Sequence, residues 1–372
     1  MNVLFFISHQ PNPRFVKQIN FLSQKNQVSL AYFLRETLAD LDSSIEKEVN
    51  RYNFGRIPNA SRLFKRLWTY FKTINKIRKI VRSNAYDVIL INNIDILLLY
   101  VLSRFGLSKK NYKSKVVIEI SDLREFVFKD SFVSKIMRYL ERKLYRKYVD
   151  KLIVTSNKYY TYHFKNFFNK DIFILENKLI SQEIIDEDLE SKLRSEKTII
   201  GIVGLLLRKD EYIQLFETYK NSLEVEIHIY GKGQYQNVVE EYASKYENIS
   251  YFGPYNTFTD ARRIYNSIDI IYLVYDIEQV SLNNRLALPN KLYECMYYKV
   301  PLICSKQTYL EEIVIHSKIG VSIDYRTPGE IENAVNSIME NKNSIKSILE
   351  NLSPEQYLGD NDYIKLESFL LQ

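Results

Sequence analysis

The sequence predicts an α/β protein of two doubly wound domains, each with a parallel sheet covered by helices on both faces. Short runs of β-branched and aromatic residues alternate with longer helix-like stretches along all 372 residues. These runs are almost continuously apolar, as expected of parallel strands that are buried on both faces. The chain is also long enough to form two hydrophobic cores of ordinary size.

Twelve strands are predicted, in two series of six. The first series falls near residues 3–7, 28–32, 88–92, 115–120, 151–155 and 172–175. The second falls near residues 198–203, 225–230, 249–252, 268–274, 301–304 and 321–323. We place an amino-terminal domain at 1–180, a second domain at 181–350, and a helical tail at 351–372 that packs back on the first domain. Ligands of such sheets bind beyond the carboxyl ends of the strands, so we expect one ligand on each domain.

Composition is that of a folded globular protein, with 46% hydrophobic and 26% charged residues. The two cysteines, Cys295 and Cys304, lie in apolar surroundings, which favours a reducing compartment over a disulfide framework. The amino terminus has no basic region before its first apolar run, so we expect no signal peptide. The longest apolar run, 96–102, is too short to span a bilayer. We therefore expect a cytoplasmic protein, free or bound to a membrane surface.

Charge is divided unevenly between the two halves. Residues 1–180 contain 33 Lys and Arg against 15 Asp and Glu, a net +18, and the remainder contains 52 − 33 = 19 against 45 − 15 = 30, a net −11. A split of this size indicates two domains with different partners. The basic half should favour an anionic surface, such as phospholipid, a polyphosphate-linked substrate or nucleic acid.

The most informative segment runs from Leu288 to Ile303, LPNKLYECMYYKVPLI. Pro289 and Asn290 are typical of a helix start, where the amides of residues 290–292 could receive a phosphate. Glu294, one turn further on, could accept hydrogen bonds from two ribose hydroxyls. The alternative is an ordinary capped helix that carries a surface glutamate.

This segment resembles the P-x-K-x-x-E run of GT-B glycosyltransferases that are similar to glycosyltransferase family 4. Four further stretches match in order over about 100 residues: Ile202–Gly204 followed by Arg208 and Lys209, Ile229–Gly233, Tyr251–Tyr255, and Ala261–Ile270. The resemblance implies a nucleotide-sugar donor site in the second domain and a ribose contact by Glu294. The implied donor-binding residues are Gly204, Arg208, Lys209, Gly231, Tyr255, Pro289, Asn290, Lys291, Leu292 and Glu294.

One departure from the family concerns the sugar itself. Family 4 often has a second glutamate eight residues earlier, which usually contacts the sugar, and Leu286 occupies that position here. The donor sugar and the stereochemical outcome therefore stay open, with retention favoured by resemblance alone. Arg208 and Lys209 could bind the diphosphate, although a solvated basic pair is the alternative. No Asp-x-Asp motif follows a strand, so we expect neither a metal ion nor a cofactor, and these cations would stabilise the leaving group.

The first half has candidate acceptor-side residues after three strands. His9 and Arg14 follow the first strand in a segment that resembles the D-P-R run of many bacterial transferases. Asn92 and Asn93 end a second strand. Glu119 and Asp122 end a third, in a pattern that resembles E-x-x-D in capsular-polysaccharide enzymes. Asp122 could deprotonate an acceptor hydroxyl or stabilise the transition state, with His9 and Glu119 as further catalytic candidates. The alternative for Asp122 is a helix cap or a turn.

The segment Arg56–Arg82 contains nine Lys and Arg and no acid. Apolar residues at helical spacing form one stripe: Leu63, Leu67, Tyr70, Ile74, Ile77 and Val81. The opposite face is basic: Arg62, Lys65, Lys72, Lys76 and Lys79. Phe64, Trp68 and Phe71 lie to one side. Such a helix is typical of binding to a membrane surface, unless the stripe simply packs on the sheet.

Together these features predict a glycosyltransferase that moves a sugar from a UDP- or GDP-linked donor to a lipid-linked or glycan acceptor. The resemblance implies a role in bacterial surface-polysaccharide or capsule synthesis, at the inner face of the plasma membrane. A nucleotide-sugar 2-epimerase is one alternative, but it would need His and carboxylate clusters, and the second half has only His228 and His316. A non-catalytic glycan- or nucleic-acid-binding protein is another. We expect no nucleic acid partner, because the acidic half would have no role in binding it.

Overall fold

The computed structural model describes residues 1–35, 44–45, 48–58, 63–83, 85–105, 114–184, 196–257 and 259–372. The chain divides into two compact units. Unit 1 consists of Met1–Glu176 together with Asn361–Gln372, and unit 2 consists of Asn177–Asp360. Residues 351–360 of the proposed tail thus lie in unit 2, and its last twelve residues lie in unit 1.

Unit 1 is built on a seven-stranded parallel sheet with the order β3-β2-β1-β4-β5-β6-β7. Its strands are β1 (Asn2–Ile7), β2 (Gln27–Leu34), β3 (Asn50–Arg56), β4 (Val88–Ile91), β5 (Lys115–Ile120), β6 (Lys151–Val154) and β7 (Ile172–Ile174). Its helices are α1 (Pro13–Ser23), α2 (Leu63–Ser83), α3 (Ile94–Ser103), α4 (Glu125–Phe128), α5 (Phe132–Tyr148) and α6 (Asn157–Tyr159), the last continued by a π-helical turn at Tyr160–Phe164.

Unit 2 is built on a six-stranded parallel sheet with the order β10-β9-β8-β11-β12-β13. Its strands are β8 (Thr198–Leu205), β9 (Val225–Lys232), β10 (Ile249–Gly253), β11 (Ile270–Leu273), β12 (Leu302–Ser305) and β13 (Gly320–Ile323). Its helices are α7 (Asp210–Tyr219), α8 (Gln236–Lys245), α9 (Ala261–Asn266), α10 (Leu282–Leu286), α11 (Asn290–Tyr298), α12 (Tyr309–Ser317), α13 (Glu330–Glu340) and α14 (Lys342–Glu350).

The predicted fold class is confirmed: both sheets are parallel and both are covered by helices. All twelve predicted strands are present, with ends that differ by no more than two residues. Strand β3 was missed because its sequence, NRYNFGR, is largely polar, as suits an edge strand with exposed residues. The central strands β1 and β4 are apolar and almost fully buried, which is why their sequence pattern is so clear.

The basic segment is shorter as a helix than the sequence predicted. Arg56 ends strand β3, and α2 begins at Leu63. Part of the predicted stripe, Tyr70, Ile77 and Val81, is buried, as a helix packed on a sheet requires. Lys65, Lys72, Lys76 and Lys79 are exposed. Arg62 and the side chains of Leu63, Phe64 and Leu67 lie outside the described residues.

Helix α15 (Asp360–Leu371) brings the chain back to unit 1 after unit 2 is complete. Its buried residues include Tyr363, whose ring meets that of Phe21 with centroids 5.5 Å apart. Asn26 donates to the Glu367 carboxylate at 2.6 Å, and Lys115 donates to the Leu371 carbonyl at 2.9 Å. The helix therefore completes the packing of unit 1. No helix in the described part of the chain is long and apolar enough to cross a membrane.

Candidate active site

In unit 2 the helix α11 begins at the predicted place. Pro289 is its N-cap residue, with extended backbone, and it supplies no side-chain cap to the first amides. The Leu292 amide donates to the Pro289 carbonyl at 3.0 Å, so of the three amides predicted for a phosphate this one is already used. The amides of Asn290 and Lys291 are the other two. The Asn290 side chain accepts a hydrogen bond from Asn177 at 2.7 Å.

Glu294 lies on the buried side of α11, with only 4% of the residue exposed. Its Oε2 atom accepts hydrogen bonds from the Tyr265 hydroxyl at 2.7 Å and from Lys291 Nζ at 2.6 Å. Its Oε1 atom makes no hydrogen bond to any residue that the structure describes. A buried carboxylate held at one oxygen and open at the other is suited to accept hydrogen bonds from a ligand.

Lys291 links Glu294 to Tyr255. Its Nζ donates to the Tyr255 hydroxyl at 2.8 Å as well as to Glu294. Burial acts to lower the pKa of Lys291, but the charge of Glu294 and hydrogen bonds to Glu294 and Tyr255 outweigh it and raise the pKa. Lys291 is thus a fixed positive charge that contacts two other predicted residues, Tyr255 and Glu294. Tyr265, which the sequence analysis did not single out, completes the cluster from α9.

Two glycines allow the strand ends to lie close to this cluster. Gly204 and Gly231 are paired in register at the carboxyl ends of β8 and β9, with φ angles of 129° and 148° that disfavour other residues. A Cβ atom on Gly231 would lie 1.8 Å from the Gly204 carbonyl oxygen, and one on Gly204 would lie 3.4 Å from Lys291 Cε. Gly204 is therefore next to Lys291, and Gly231 next to Gly204.

Arg208 and Lys209 lie in the loop between β8 and α7 and line a cavity of about 280 Å³. The Arg208 guanidinium stacks on the Tyr275 ring, 3.9 Å from its centroid, whereas Lys209 is exposed. The cavity lies beyond the carboxyl ends of β8 and β11, where open parallel sheets bind ligands. Of the two predicted cations, Arg208 is held in place and Lys209 is not.

The same cavity brings in two acidic residues that the sequence analysis missed. Asp276 follows β11 and is held by Arg326 Nη2 at 2.5 and 2.6 Å and by the Tyr325 hydroxyl at 3.1 Å. Glu211 accepts a hydrogen bond from the Asp276 amide at 2.6 Å, and burial raises its pKa. The position of Asp276 directly after a buried strand is the signal that could have found it.

A larger cavity of about 420 Å³ in unit 2 lies at the opposite side of the sheet, where the strands begin. It is lined by residues that precede β8, β11 and β12, such as Lys197, Asp269 and Lys299. Parallel sheets bind ligands beyond the carboxyl ends of their strands. The carboxyl ends of the strands, near Gly204, are therefore the candidate ligand site of unit 2, although the cavity there is smaller.

In unit 1 the predicted acceptor-side residues converge on a cavity of about 210 Å³. It is lined by His9, Asn12, Phe15, Arg35, Asn92, Asn93, Ser121, Asp122 and Arg124. Four predicted residues, His9, Asn92, Asn93 and Asp122, thus meet at the carboxyl ends of β1, β4 and β5. Arg35 and Arg124 were not predicted, and they give the cavity two positive charges.

Short polar contacts hold this cavity in shape. The Ser8 amide donates to the Asn92 side chain at 3.0 Å, and Asn93 donates to the Ser8 hydroxyl at 2.8 Å. Arg124 donates to Asn93 Oδ1 at 2.5 Å. Asn92 and Asn93 therefore join the loops after β1 and β4.

His9 is oriented by a backbone contact. Its Nδ1 lies 2.6 Å from the Gln10 carbonyl oxygen, which can only accept, so the proton is on Nδ1. Burial lowers the pKa of His9, the Gln10 contact opposes this, and the nearby charges of Arg35 and Arg124 lower it further. The ring is thus held neutral, with Nε2 as the basic nitrogen and the Asn92 amide 3.4 Å from it.

Glu119 and Arg14 are placed differently from the prediction. Glu119 is fully buried within β5, and its Oε1 atom accepts from Arg14 Nε at 2.6 Å and from Gln18 at 3.0 Å. Arg14 is also buried and donates to the Leu175 carbonyl at 2.8 Å. Neither residue lines the cavity. Because successive strand residues face opposite sides of a sheet, an acid within a strand cannot be assigned to the strand end by spacing alone.

No cluster of three or more His, Cys, Asp or Glu side chains that could hold a metal ion occurs among the described residues. The positive charge at both cavities comes from Arg and Lys. Cys295 and Cys304 are free and buried, and burial raises the pKa of both thiols, so they are poor metal ligands as they stand.

Comparison with known proteins gives a family match in unit 2. Residues 184–353 match the family described as glycosyl transferases group 1. No curated protein matches the sequence.

Solved structures resemble the whole chain. Anabaena Alr3699/HepE in complex with UDP has a TM-score of 0.68 at 15% identity, and the match covers 100% of this chain and 99% of that one. The lipopolysaccharide outer core galactosyltransferase WaaB has a TM-score of 0.66 at 14% identity, with the same coverage. The UDP-GlcNAc 2-epimerase from Neisseria meningitidis has a TM-score of 0.63 at 13% identity and covers 100% of both chains.

These likenesses establish the fold, which glycosyltransferases and a 2-epimerase share. The family match favours glycosyl transfer, because the family is described by that activity. The chain is a glycosyltransferase with the GT-B fold, and its residues 184–353 match the family described as glycosyl transferases group 1.

Proposed function

We propose that this enzyme transfers a sugar from a UDP- or GDP-linked donor to a lipid-linked or glycan acceptor, without a metal ion and with retention of configuration. Unit 2 holds the donor and unit 1 the acceptor. The observation that carries the proposal is the buried Glu294, which lies within the glycosyl transferases group 1 match and has one oxygen available to a ligand. Membership of glycosyltransferase family 4, and a role in surface-polysaccharide or capsule synthesis, stay predictions from the resemblance.

Support for the donor comes from the charged and polar groups that lie where the strands of unit 2 end. Glu294 would accept hydrogen bonds from the ribose, and Lys291 and the first amides of α11 would meet a phosphate. Arg208 would meet the diphosphate and stabilise its charge as it leaves. HepE was solved with UDP and the 2-epimerase with UDP-GlcNAc, so proteins of this fold take uridine nucleotides.

Support for the acceptor comes from the 210 Å³ cavity of unit 1. Asp122 and neutral His9 both line it, and each could take the proton of an acceptor hydroxyl as its oxygen bonds to the anomeric carbon and the bond from that carbon to the diphosphate breaks. Retention requires that the acceptor attacks from the face that the diphosphate leaves. Arg35 and Arg124 would bind an anionic group, such as the phosphate of a lipid-linked acceptor.

The charge division supports a location at a membrane surface. Unit 1 carries the basic charge, and Lys65, Lys72, Lys76 and Lys79 of α2 are exposed beside Trp68 and Phe71. Each Lys or Arg near an anionic surface contributes about 1 kcal/mol to binding. In 0.1 M salt this attraction is largely screened beyond about 10 Å. We infer peripheral binding to the inner face of the plasma membrane.

The decisive experiment is a transfer assay with UDP- and GDP-sugars chosen by thermal shift, since a ligand far above its Kd raises stability measurably. Asp122→Asn should lower kcat by about 10²- to 10⁴-fold and leave the donor Kd unchanged. Asp171→Asn, at an exposed carboxylate of the same unit, is the matched control and should behave as wild type.

Two results would count against the proposal, and a third would change only the assignment of the base. Binding of no nucleotide sugar would remove the donor site, and formation of an epimerised free nucleotide sugar would establish the alternative activity. Normal turnover of Asp122→Asn would move the role of the base to His9.

A further inference from the structure

Helix α5 of unit 1 exposes an apolar stripe. Phe132, Val133, Ile136, Tyr139 and Leu140 are all exposed, Phe132 by 78%. Their spacing of one, four, seven and eight residues places them on one face of the helix. The opposite face packs on the domain through Ser134, Glu141 and Tyr145. A helix of a soluble domain normally buries its apolar face, so this second apolar face needs a partner.

The stripe does not stand alone. Helices α2, α3 and α5 all cross the sheet in the same direction, from β3 to β4, β4 to β5 and β5 to β6, so right-handed connections place them in one layer. Helix α3 packs against both neighbours and exposes Leu98 and Leu102. Helix α2 exposes Trp68, by 61%, and Phe71, whose rings are stacked. We call this surface of α2, α3 and α5 the apolar face.

The charges around the apolar face are mostly positive; the exceptions include Asp95 in the first turn of α3 and the exposed Asp130 just before α5, which pairs with Lys135 and Arg138. Helix α5 has six Lys and Arg against one acid, Glu141, which is buried with its carboxylate 2.5 Å from His163 Nε2. Helix α2 has seven Lys and Arg and no acid. A second copy of the chain would bring the same positive charge to the contact. An anionic partner with an apolar interior matches both properties, and a lipid surface has both.

The topology also places the stripe near the acceptor cavity. Arg124, which lines that cavity, precedes Ser131, the N-cap of α5, by seven residues. Because α5 returns from the carboxyl end of β5 to the start of β6, Phe132 is at the edge of the sheet that holds the cavity. An acceptor anchored in lipid could thus reach the cavity with its polar head group.

We propose that the apolar face inserts into an anionic membrane, with the α5 stripe as the part that enters the acyl boundary. Insertion of the apolar face rests on the proposed function in one respect only, that the acceptor is linked to a lipid. It changes the expected mode of binding: α2 alone predicts an electrostatic contact that salt abolishes, whereas an inserted α5 predicts a contact that salt weakens but does not remove.

The test uses vesicles of phosphatidylcholine with and without phosphatidylglycerol. A variant with Phe132→Gln, Ile136→Gln and Leu140→Gln should bind the anionic vesicles about 100-fold more weakly than wild type. Its control carries Leu223→Gln, Ile315→Gln and Ile364→Gln, three equally exposed apolar residues elsewhere, and should bind normally. Trp68 is the only tryptophan, so its emission should shift to the blue on binding and be quenched by brominated lipid.

Equal binding by the triple variant and wild type, or binding that high salt removes completely, would overturn insertion. A wild-type dimer in sedimentation that the triple variant loses would assign the face to a second copy. Nucleotide-sugar binding, measured on the same variants without vesicles, separates this proposal from the proposed function. Wild type that binds vesicles but no nucleotide sugar would leave the face standing and remove the donor site.

Discussion

Each unit contains a buried glutamate with a basic partner, and the two are used differently. Glu119 of unit 1 lies within a strand, is fully buried, and is held by Arg14 and Gln18. Glu294 of unit 2 lies in the middle of the nine-residue helix α11, and it is held by Lys291 and Tyr265 through one oxygen. Burial alone therefore does not mark a functional acid. The Glu119 Oε2 atom also makes no hydrogen bond to any described residue, but it is buried. What distinguishes Glu294 is its position on a helix that follows a strand end, within the residues that match the glycosyl transferases group 1 family.

Removal of Arg14 should have the largest effect on stability. Arg14→Met leaves Glu119 charged and buried without its partner, which typically costs about 3–5 kcal/mol in the free energy of unfolding. Urea unfolding of the full chain checks this, with Lys25→Met, at an exposed position just after α1, as the control. The double variant Arg14→Met/Glu119→Leu should recover most of the loss, because an apolar pair can replace a buried ion pair. If Arg14→Met leaves the unfolding midpoint unchanged but weakens acceptor binding, Arg14 belongs to the acceptor site, as the sequence predicted.

Removal of Glu294 should instead be seen in donor binding. Glu294→Ala would remove the two charge-assisted hydrogen bonds that we propose to the ribose, about 2–4 kcal/mol together, or roughly 30- to 1,000-fold in Kd. Calorimetry with the preferred nucleotide sugar measures this, and Glu340→Ala, at an exposed site on α13, is the control. If every nucleotide sugar binds to Glu294→Ala as tightly as to wild type, Glu294 is a structural residue like Glu119.

The two cations of unit 2 should differ from each other. Arg208 is stacked on Tyr275 and lines the cavity, so Arg208→Ala should weaken nucleoside diphosphate binding by about 1.5–3 kcal/mol and leave nucleoside binding unchanged. Lys209 is exposed, and Lys209→Ala should cost less than about 1 kcal/mol. Titration of each variant with UDP and with uridine checks both values. If Lys209→Ala weakens nucleoside diphosphate binding more than Arg208→Ala does, Lys209 is the more important of the two residues and our ranking is wrong.

The smallest effect concerns pH and His9. Because burial lowers its folded pKa below the usual value of about 6.5, the unfolded chain takes up the proton first as pH falls. The free energy of unfolding should therefore fall as the pH drops below about 6.5, and it should level off once the pH is below the pKa of His9 in the folded protein. His9→Asn should flatten this dependence, and His316→Asn, at an exposed position, should not. Thermal unfolding across this pH range decides the matter. If the pH dependence of stability is the same in His9→Asn, groups other than His9 cause it.

Regular strands and residues at strand ends could be predicted from sequence, because burial of a parallel sheet imposes one apolar pattern. His9, Asn92, Asn93 and Asp122 do meet at one cavity for that reason. Strand β3 could not be predicted, since an edge strand has no such constraint. Glu119 was misplaced because the side of the sheet that a strand residue faces depends on one residue of register. Arg14, on α1, was misplaced because its partner is the buried Glu119, far away in sequence. Partners far apart in sequence, such as Tyr265 with Glu294 or Arg326 with Asp276, leave no local pattern.

The return of α15 to unit 1 has a consequence for synthesis of the chain. Unit 2 is made from one continuous stretch, Asn177–Asp360, whereas unit 1 needs Asn361–Gln372 as well. Domains usually fold on the ribosome in the order in which they emerge. Here the unit that emerges first must wait with its α15 docking surface uncovered, around Phe21, Phe173 and Lys151, until the other has been made. The second unit can therefore be native before the first, and nascent unit 1 is the part of the protein that a chaperone would have reason to hold.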